Sequence, residues 1–459
     1  METSKTNPES IIPRSEQALD ERWFAKFKDV SIFQAYEYYV GDPEERAEQK
    51  EAFINNEVDN PTLDYPKLDL ESLQEHEGYL VEFKKDLLLN EANENIRQIY
   101  RWKVNEKIAE NRMMQASVNG DMRHFERYSK FVYGEPSPEI FAGVINMIRE
   151  QAQSNLGSSN KELDEISQRV LAQLPDFPEA KTIALPSQKA IDSAYGKTIL
   201  ELGDLVQISE EQEEYDAKEM KEIFQAALNN IEVNDWNVVV SEQNKATMSV
   251  DQESKQVLIP KNKKVTFEKL KGLLAHEIGT HIVRRKKGER SRLKLLSLGL
   301  DRYEKGEEGL STMAEQALSG NMQDYAGIVG HLSIGLAKGI GGKPKDFRQL
   351  FNVMTDIYTM NRLAEGKNLE KAQDLARKRA WNNCVRVFRG TDCKTPGVVF
   401  TKDIIYREGN IGVWDVLGKN PEEQMRFTVG KYDPANPRHI LMLEQLGIND
   451  AELSELEEK

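Results

Sequence analysis

The sequence predicts an α+β protein, mostly helical, with one small β-sheet placed directly before a helix that carries two histidines. Three observations point there. Apolar residues recur at helical spacing over most of the 459 residues. Short β-branched runs cluster in the stretch 236–259. A capping threonine, Thr266, then opens the helix that holds His276 and His281.

The elements follow in order. Ser15 to Ala180 reads as mostly helical, with Ile96, Ile99, Tyr100, Val104 and Ile108 at helical spacing. Pro138 to Ala152 repeats the pattern with proline at a helix start, and Glu162 to Leu174 repeats it again. No residue in this front part has an obvious chemical task. It is expected to be a helical scaffold or cap, residues 1–185, ahead of a second unit at 186–459. In that unit Asp216 and Glu219 match a capping box, and Met220, Ile223, Phe224, Ala227 and Leu228 form one apolar face ending near Asn230.

The period then changes. Trp236 to Val240 is β-branched, Ala246, Met248 and Val250 alternate with Thr247 and Ser249, and Val257 to Ile259 form a third run before Pro260. Two or three neighbouring strands are expected, with turns at 242–245 and 251–255. The lysines and asparagine at 261–264 close the unit. Beyond the histidine helix come a basic linker from Arg284 to Arg302 and a helix from about Glu308. One helical stretch from Tyr325 to Leu363 follows, then another from Leu369 to Asn382. A strand-like segment lies around Arg386, and a last helix lies between Pro434 and Leu446.

Acidic side chains outnumber basic ones by 77 to 62, which argues against a broad nucleic-acid surface. No apolar run is long enough to predict a membrane span, and the start METSKTNPES does not read as a secretory signal. The only cysteines, Cys384 and Cys393, make no disulfide framework, so a reducing, cytoplasmic setting is expected.

Chemistry concentrates in Leu273-Leu274-Ala275-His276-Glu277-Ile278-Gly279-Thr280-His281. Neutral imidazoles are good ligands for zinc, which takes about four donors in a tetrahedral array. The familiar peptidase spacing is i and i+4, whereas these histidines are i and i+5. On a regular helix that sets them about 140° apart instead of about 40°. A one-residue bulge would restore a common face, and Gly279 lies inside the interval. A third ligand is needed, and Glu304, Glu307 and Glu308 are on offer. Glu308 sits just ahead of the helical run 311–318, with Glu307 as its rival.

These blocks resemble a known family, the tubulin tyrosine carboxypeptidase-like zinc metallopeptidases, including bacterial relatives named for a "QEGLA" motif. The resemblance rests on residues 273–281, on Glu-Glu-Gly-Leu-Ser at 307–311 and on Phe-Thr-Lys-Asp-Ile-Ile-Tyr at 400–406, and it covers about 210–415. It implies a zincin-like metallopeptidase fold with its small sheet before the HExxxH helix. It also implies His276, His281 and Glu308 as zinc ligands and Glu277 as the catalytic glutamate. The second block departs from the pattern, with Glu307 where many relatives have glutamine and Ser311 where they have alanine.

The expected function is zinc-dependent removal of a C-terminal residue, tyrosine or another aromatic, from a peptide or protein tail. Glu277 is then the general base. An aminopeptidase or endopeptidase of the same class is the nearer alternative, and a non-catalytic zinc-binding regulator the further one. Tyr406 and His331 are candidate oxyanion donors, His331 reading more readily as a packing residue. Arg386, Arg389 and Lys402 are candidates to hold the substrate carboxylate, and the strand edge around Thr247 to align the chain. The basic run 284–287 is a candidate attractor for an acidic tail.

Overall fold

A computed structural model describes residues 18–31, 33–177, 183–205, 212–241, 248–252, 254–320 and 322–448. The front part is built from α1 (Glu21–Ser31), α2 (Ala35–Tyr38), α3 (Pro43–Ile54), α4 (Leu70–Asn90), α5 (Glu94–Val118), α6 (Met122–Tyr133), α7 (Pro138–Ser154) and α8 (Lys161–Gln173), and α9 (Gln188–Leu205) follows it. Local chemistry sets most of their starts. Asp42, Asp69, Asn93, Asp121, Ser137 and Asn160 each accept a backbone N–H of the first turn they precede.

The middle of the chain holds β1 (Glu214–Asp216), α10 (Ala217–Asn230), β2 (Asn237–Ser241), β3 (Ser249–Asp251), β4 (Gln256–Pro260) and β5 (Lys264–Thr266). The capping box at Asp216 is complete: its carboxylate accepts from the N–H groups of Lys218 and Glu219, and Glu219 accepts from the Asp216 N–H. The sheet runs β2-β4-β3, with β2 parallel and β3 antiparallel to β4. A separate ribbon pairs β1 with β5. The lysine-rich stretch before Thr266 therefore contributes a strand instead of merely closing the unit, because Tyr215 and Val265 meet across the ribbon and bury. The expected turn at 242–245 and Thr247 lie outside the described residues.

The last part comprises α11 (Phe267–Leu273), a π-helical segment (Leu274–Ile282), α12 (Val283–Arg290), α13 (Glu304–Ser319), α14 (Ile328–Lys338), α15 (Phe347–Ala364), α16 (Leu369–Val387), α17 (Ile404–Lys419) and α18 (Pro437–Gln445). Three expectations need correction. The stretch 325–363 is two helices, not one. Gly339 and Gly341 sit at positive φ, and Pro344 follows, so the chain turns there. The segment around Arg386 is the final turns of α16 and not a strand, with Cys384 and Val387 on its buried face. The basic linker begins as helix, and Arg284 and Arg285 are buried instead of facing a substrate.

The helices of the front part share cores with later ones. Phe83, Tyr100 and Met113 pack with Leu295, Leu296 and Leu443 in one core; Phe141 and Ile166 pack with Phe351 and Trp381 in another. A third core joins the sheet, α10 and the histidine helix through Phe224, Val257, Leu274 and Ile278. Among the described residues no helix is long and apolar enough to cross a membrane.

Candidate metal centre

Thr266 caps the histidine helix by accepting from the Lys269 N–H. After about two turns the helix widens into the π form over Leu274–Ile282. The Thr280 hydroxyl donates to the Ala275 carbonyl, five residues back, at 3.0 Å. The extra residue brings His276 and His281 to one side, with ring centroids 5.0 Å apart. One ligand atom from each of His276, Glu277 and His281 lies within 4.8 Å of the others.

Each imidazole is fixed from behind. His276 Nδ1 is 2.6 Å from Glu315 Oε1, whose other oxygen takes Lys269 Nζ at 2.7 Å. His281 Nδ1 is 2.9 Å from Glu307 Oε1. Glu307 also binds Arg284, and Lys431 Nζ lies 3.4 Å from it. A carboxylate behind Nδ1 sets the tautomer and turns Nε2 toward the cleft, the usual support for a metal-binding histidine. Burial alone would raise the Glu307 carboxyl, yet Lys431, Arg284 and His281 hold it well below the usual range. Burial likewise opposes ionisation of Glu315, while His276 and Lys269 bring it down to about 2. The rivalry between Glu307 and Glu308 takes a clear form here: Glu307 is occupied behind His281, whereas Glu308 Oε2 lies 3.9 Å from His276 Nε2.

Glu308 reaches this position because α13 packs unusually close to α17. Gly309 and Gly409 face one another, and a Cβ on either would collide with a backbone carbonyl of Gly409 or Lys305. The same approach carries Tyr406 into the site. Two imidazoles with their outer nitrogens anchored, beside two carboxylates, form a donor set that suits zinc.

The centre opens on a cleft of about 330 Å³. Its far wall carries Arg386, Arg389, Lys402 and Tyr406, and Met248 with Ser249 and Val250 of β3 forms one margin. Arg386 is committed to Asp403 by two hydrogen bonds of 2.7 and 2.9 Å. Arg389 has no hydrogen-bonded or ion-paired partner among the described residues, and burial lowers its pKa. Lys402 Nζ stands 3.5 Å from Glu304. The Tyr406 phenol is pushed up to about 12, first by the charge of Glu308. His331 is elsewhere: fully buried on α14, with Nε2 3.2 Å from Glu408 and no place on the cleft wall.

Glu315 was not singled out in the sequence, although a signal existed. It lies seven residues after Glu308, two turns along the same face of α13. Lys431 and Tyr36, which also line the cleft, carried no local signal at all.

A family profile described as "Microtubule-associated tyrosine carboxypeptidase" matches residues 180–325 and 367–451, together half of the chain. Searches of curated proteins and of solved structures each return no match. The matched segments contain the two histidines, Glu277, Glu308, the carboxylates behind the imidazoles and the cationic wall. The chain belongs to the microtubule-associated tyrosine carboxypeptidase family.

Proposed function

We propose that this protein is a zinc-dependent peptidase that removes a residue from the C-terminus of a peptide or protein tail. The observation that carries the reading is the π-helical turn, which converges two imidazoles spaced i and i+5 beside Glu277 and Glu308. His276, His281 and Glu308 would hold the metal. When bound, zinc acidifies water and polarises a carbonyl.

The chain's own residues supply the rest. Glu277 takes the proton of the attacking water and returns it to the leaving amine. Burial raises its carboxyl pKa, against the pull of the two imidazoles, which suits a group that must both accept and release a proton. Tyr406 stays protonated at neutral pH and donates to the oxyanion as it develops. Arg389 receives the substrate's terminal carboxylate, being the arginine on this wall with no hydrogen-bonded or ion-paired partner among the described residues. Arg386 orients Asp403 and contributes positive potential. β3 lies at the edge of its sheet and on the cleft margin, so an extended substrate can add to it as a further strand. Cys384 and Cys393 are buried free thiols, which suits a reducing, cytoplasmic setting.

The test pairs metal analysis with hydrolysis of one peptide in free-acid and C-terminally amidated forms. The expected result is one zinc per chain, cleavage of the free acid only, and a loss of about 10²–10⁴-fold in Glu277→Gln with zinc retained. Equal cleavage of the amidated peptide would overturn the carboxypeptidase reading, and a fully active Glu277→Gln would overturn the mechanism.

A further inference from the structure

Every residue given a role above lies in the matched segments, yet the cleft has one wall that does not. Gln34 and Tyr36 line it, about 240 positions before His276 and outside 180–325 and 367–451. The Tyr36 ring lies 4.7 Å from Lys402 Nζ, and the same ammonium is 5.6 Å from the Tyr406 ring. Lys402 is thus held between one aromatic from the front part and one from the matched part.

This wall is pinned in place. The Phe33 carbonyl accepts from Lys107 Nζ at 2.6 Å, and the Ala35 N–H donates to Glu110 Oε1 at 2.7 Å. Lys107 and Glu110 are themselves paired at 3.0 Å and buried on α5. Phe33 packs edge-on against His76, and the Tyr39 hydroxyl bonds Ser117. Four anchors over seven residues leave Gln34 and Tyr36 half-buried and facing the cleft between fixed neighbours. Such fixation costs little entropy on binding, which is the usual property of a recognition surface.

We infer that the segment Phe33–Tyr38 is the specificity-determining wall of the cleft, with Tyr36 and Gln34 touching the side chain of the residue to be released. The inference rests on the peptidase reading above and adds the element that chooses among chain ends. The zinc site and cationic wall are indifferent to that side chain, since they engage the peptide carbonyl and the terminal carboxylate. Tyr36 offers an aromatic surface whose phenol stays neutral, because burial holds its pKa well above the ordinary value. Gln34 offers an amide beside it. Together they favour a planar side chain carrying a polar group over a branched aliphatic one.

The experiment uses two free-acid peptides of one sequence, ending in tyrosine or leucine. Hydrolysis is measured for wild type, Tyr36→Ala and Gln34→Ala. Binding of both peptides is measured in a Glu277→Gln background, where turnover is removed. The expected result is a wild-type preference for tyrosine that shrinks roughly 3- to 10-fold in Tyr36→Ala, seen in binding as well as in kcat/KM, with zinc content unchanged. An unaltered preference, an equal loss for both peptides, or no preference in wild type would overturn the inference. If wild type binds the peptides selectively but cleaves neither, the peptidase reading fails while the wall is still tested by binding. Should Tyr36→Ala not fold, Gln34→Ala decides, with a smaller shift in the same direction expected.

Discussion

Two groups of charge, one buried on α5 and one around the histidines, are assembled to opposite ends. On α5, Lys103 is paired with Glu106 at 2.7 Å and Lys107 with Glu110 at 3.0 Å, and backbone groups supply further hydrogen bonds. Leu300 and Phe33 carbonyls accept from the lysines, while Arg302 and Ala35 N–H groups donate to the glutamates. Around the histidines, by contrast, Glu307 and Glu315 satisfy only the outer nitrogen of each ring. The first group spends its charge within the protein and the second leaves two nitrogens for something else. The α5 pairs are more deeply buried than Glu315 and Lys269, but what separates scaffold from site is the unspent valence.

The comparison can be broken from either side. The largest effect is expected from Glu307→Gln, which serves both purposes at once. It leaves Arg284 and Lys431 buried without their carboxylate and weakens the hold on His281. Unfolding should become easier by about 3–5 kcal/mol in denaturant titration, and zinc affinity should fall about 10- to 100-fold in chelator competition. Intact zinc affinity would mean that Glu307 is purely structural.

Lys103→Met should separate the two groups. Glu106 then loses its cation, and stability should fall by about 2–3 kcal/mol, somewhat less than for Glu307 because the Arg302 N–H still reaches Glu106. Zinc content and affinity should not change. A parallel loss of zinc would show that the α5 group supports the centre directly.

The smallest effect belongs to Glu37, which neither group pairs: burial and the charge of Asp251 outweigh Lys107 and the Gln34 backbone N–H that its carboxylate accepts. Burial, then the charge of Asp251, raises it to about 7. Between the unfolded value near 4.5 and about 7 the folded protein binds more protons than the unfolded chain, so this group makes stability fall as pH rises through that window. Glu37→Gln should therefore raise Tm slightly at pH 8 and leave it unchanged at pH 4. A shift of equal size at both pH values would show that the effect is not ionisation.

How much of this was readable beforehand depended on distance along the chain. The Asp216 box, the Thr266 cap and the bulge around Gly279 are local, since the residues that create them lie within one or two turns. The break after α14 was local too, announced by Gly339, Gly341, Gly342 and Pro344, but the apolar period on either side masked it. Other features had no such signal. The parallel pairing of β2 with β4, the ribbon of β1 with β5, and Tyr36 beside Lys402 join segments whose patterns are silent about one another. Arg284 and Arg285 misled for the same reason. A run of cations reads as a solvated face until the carboxylate that buries it is known, and Glu307 lies 23 residues further on.

The wide turn also fixes the phase of everything after it. Adding or removing one residue would rotate the rest of the helix by about 100°. Arg284, three positions past His281, meets the same Glu307 that braces that ring. A shortened chain with the commoner histidine interval would keep a pair of imidazoles in register, yet swing the guanidinium away and strand Glu307 in the interior. Ligand spacing and internal neutralisation are thereby tied to a single inserted residue, so a lineage that has acquired it cannot drop it without disturbing both.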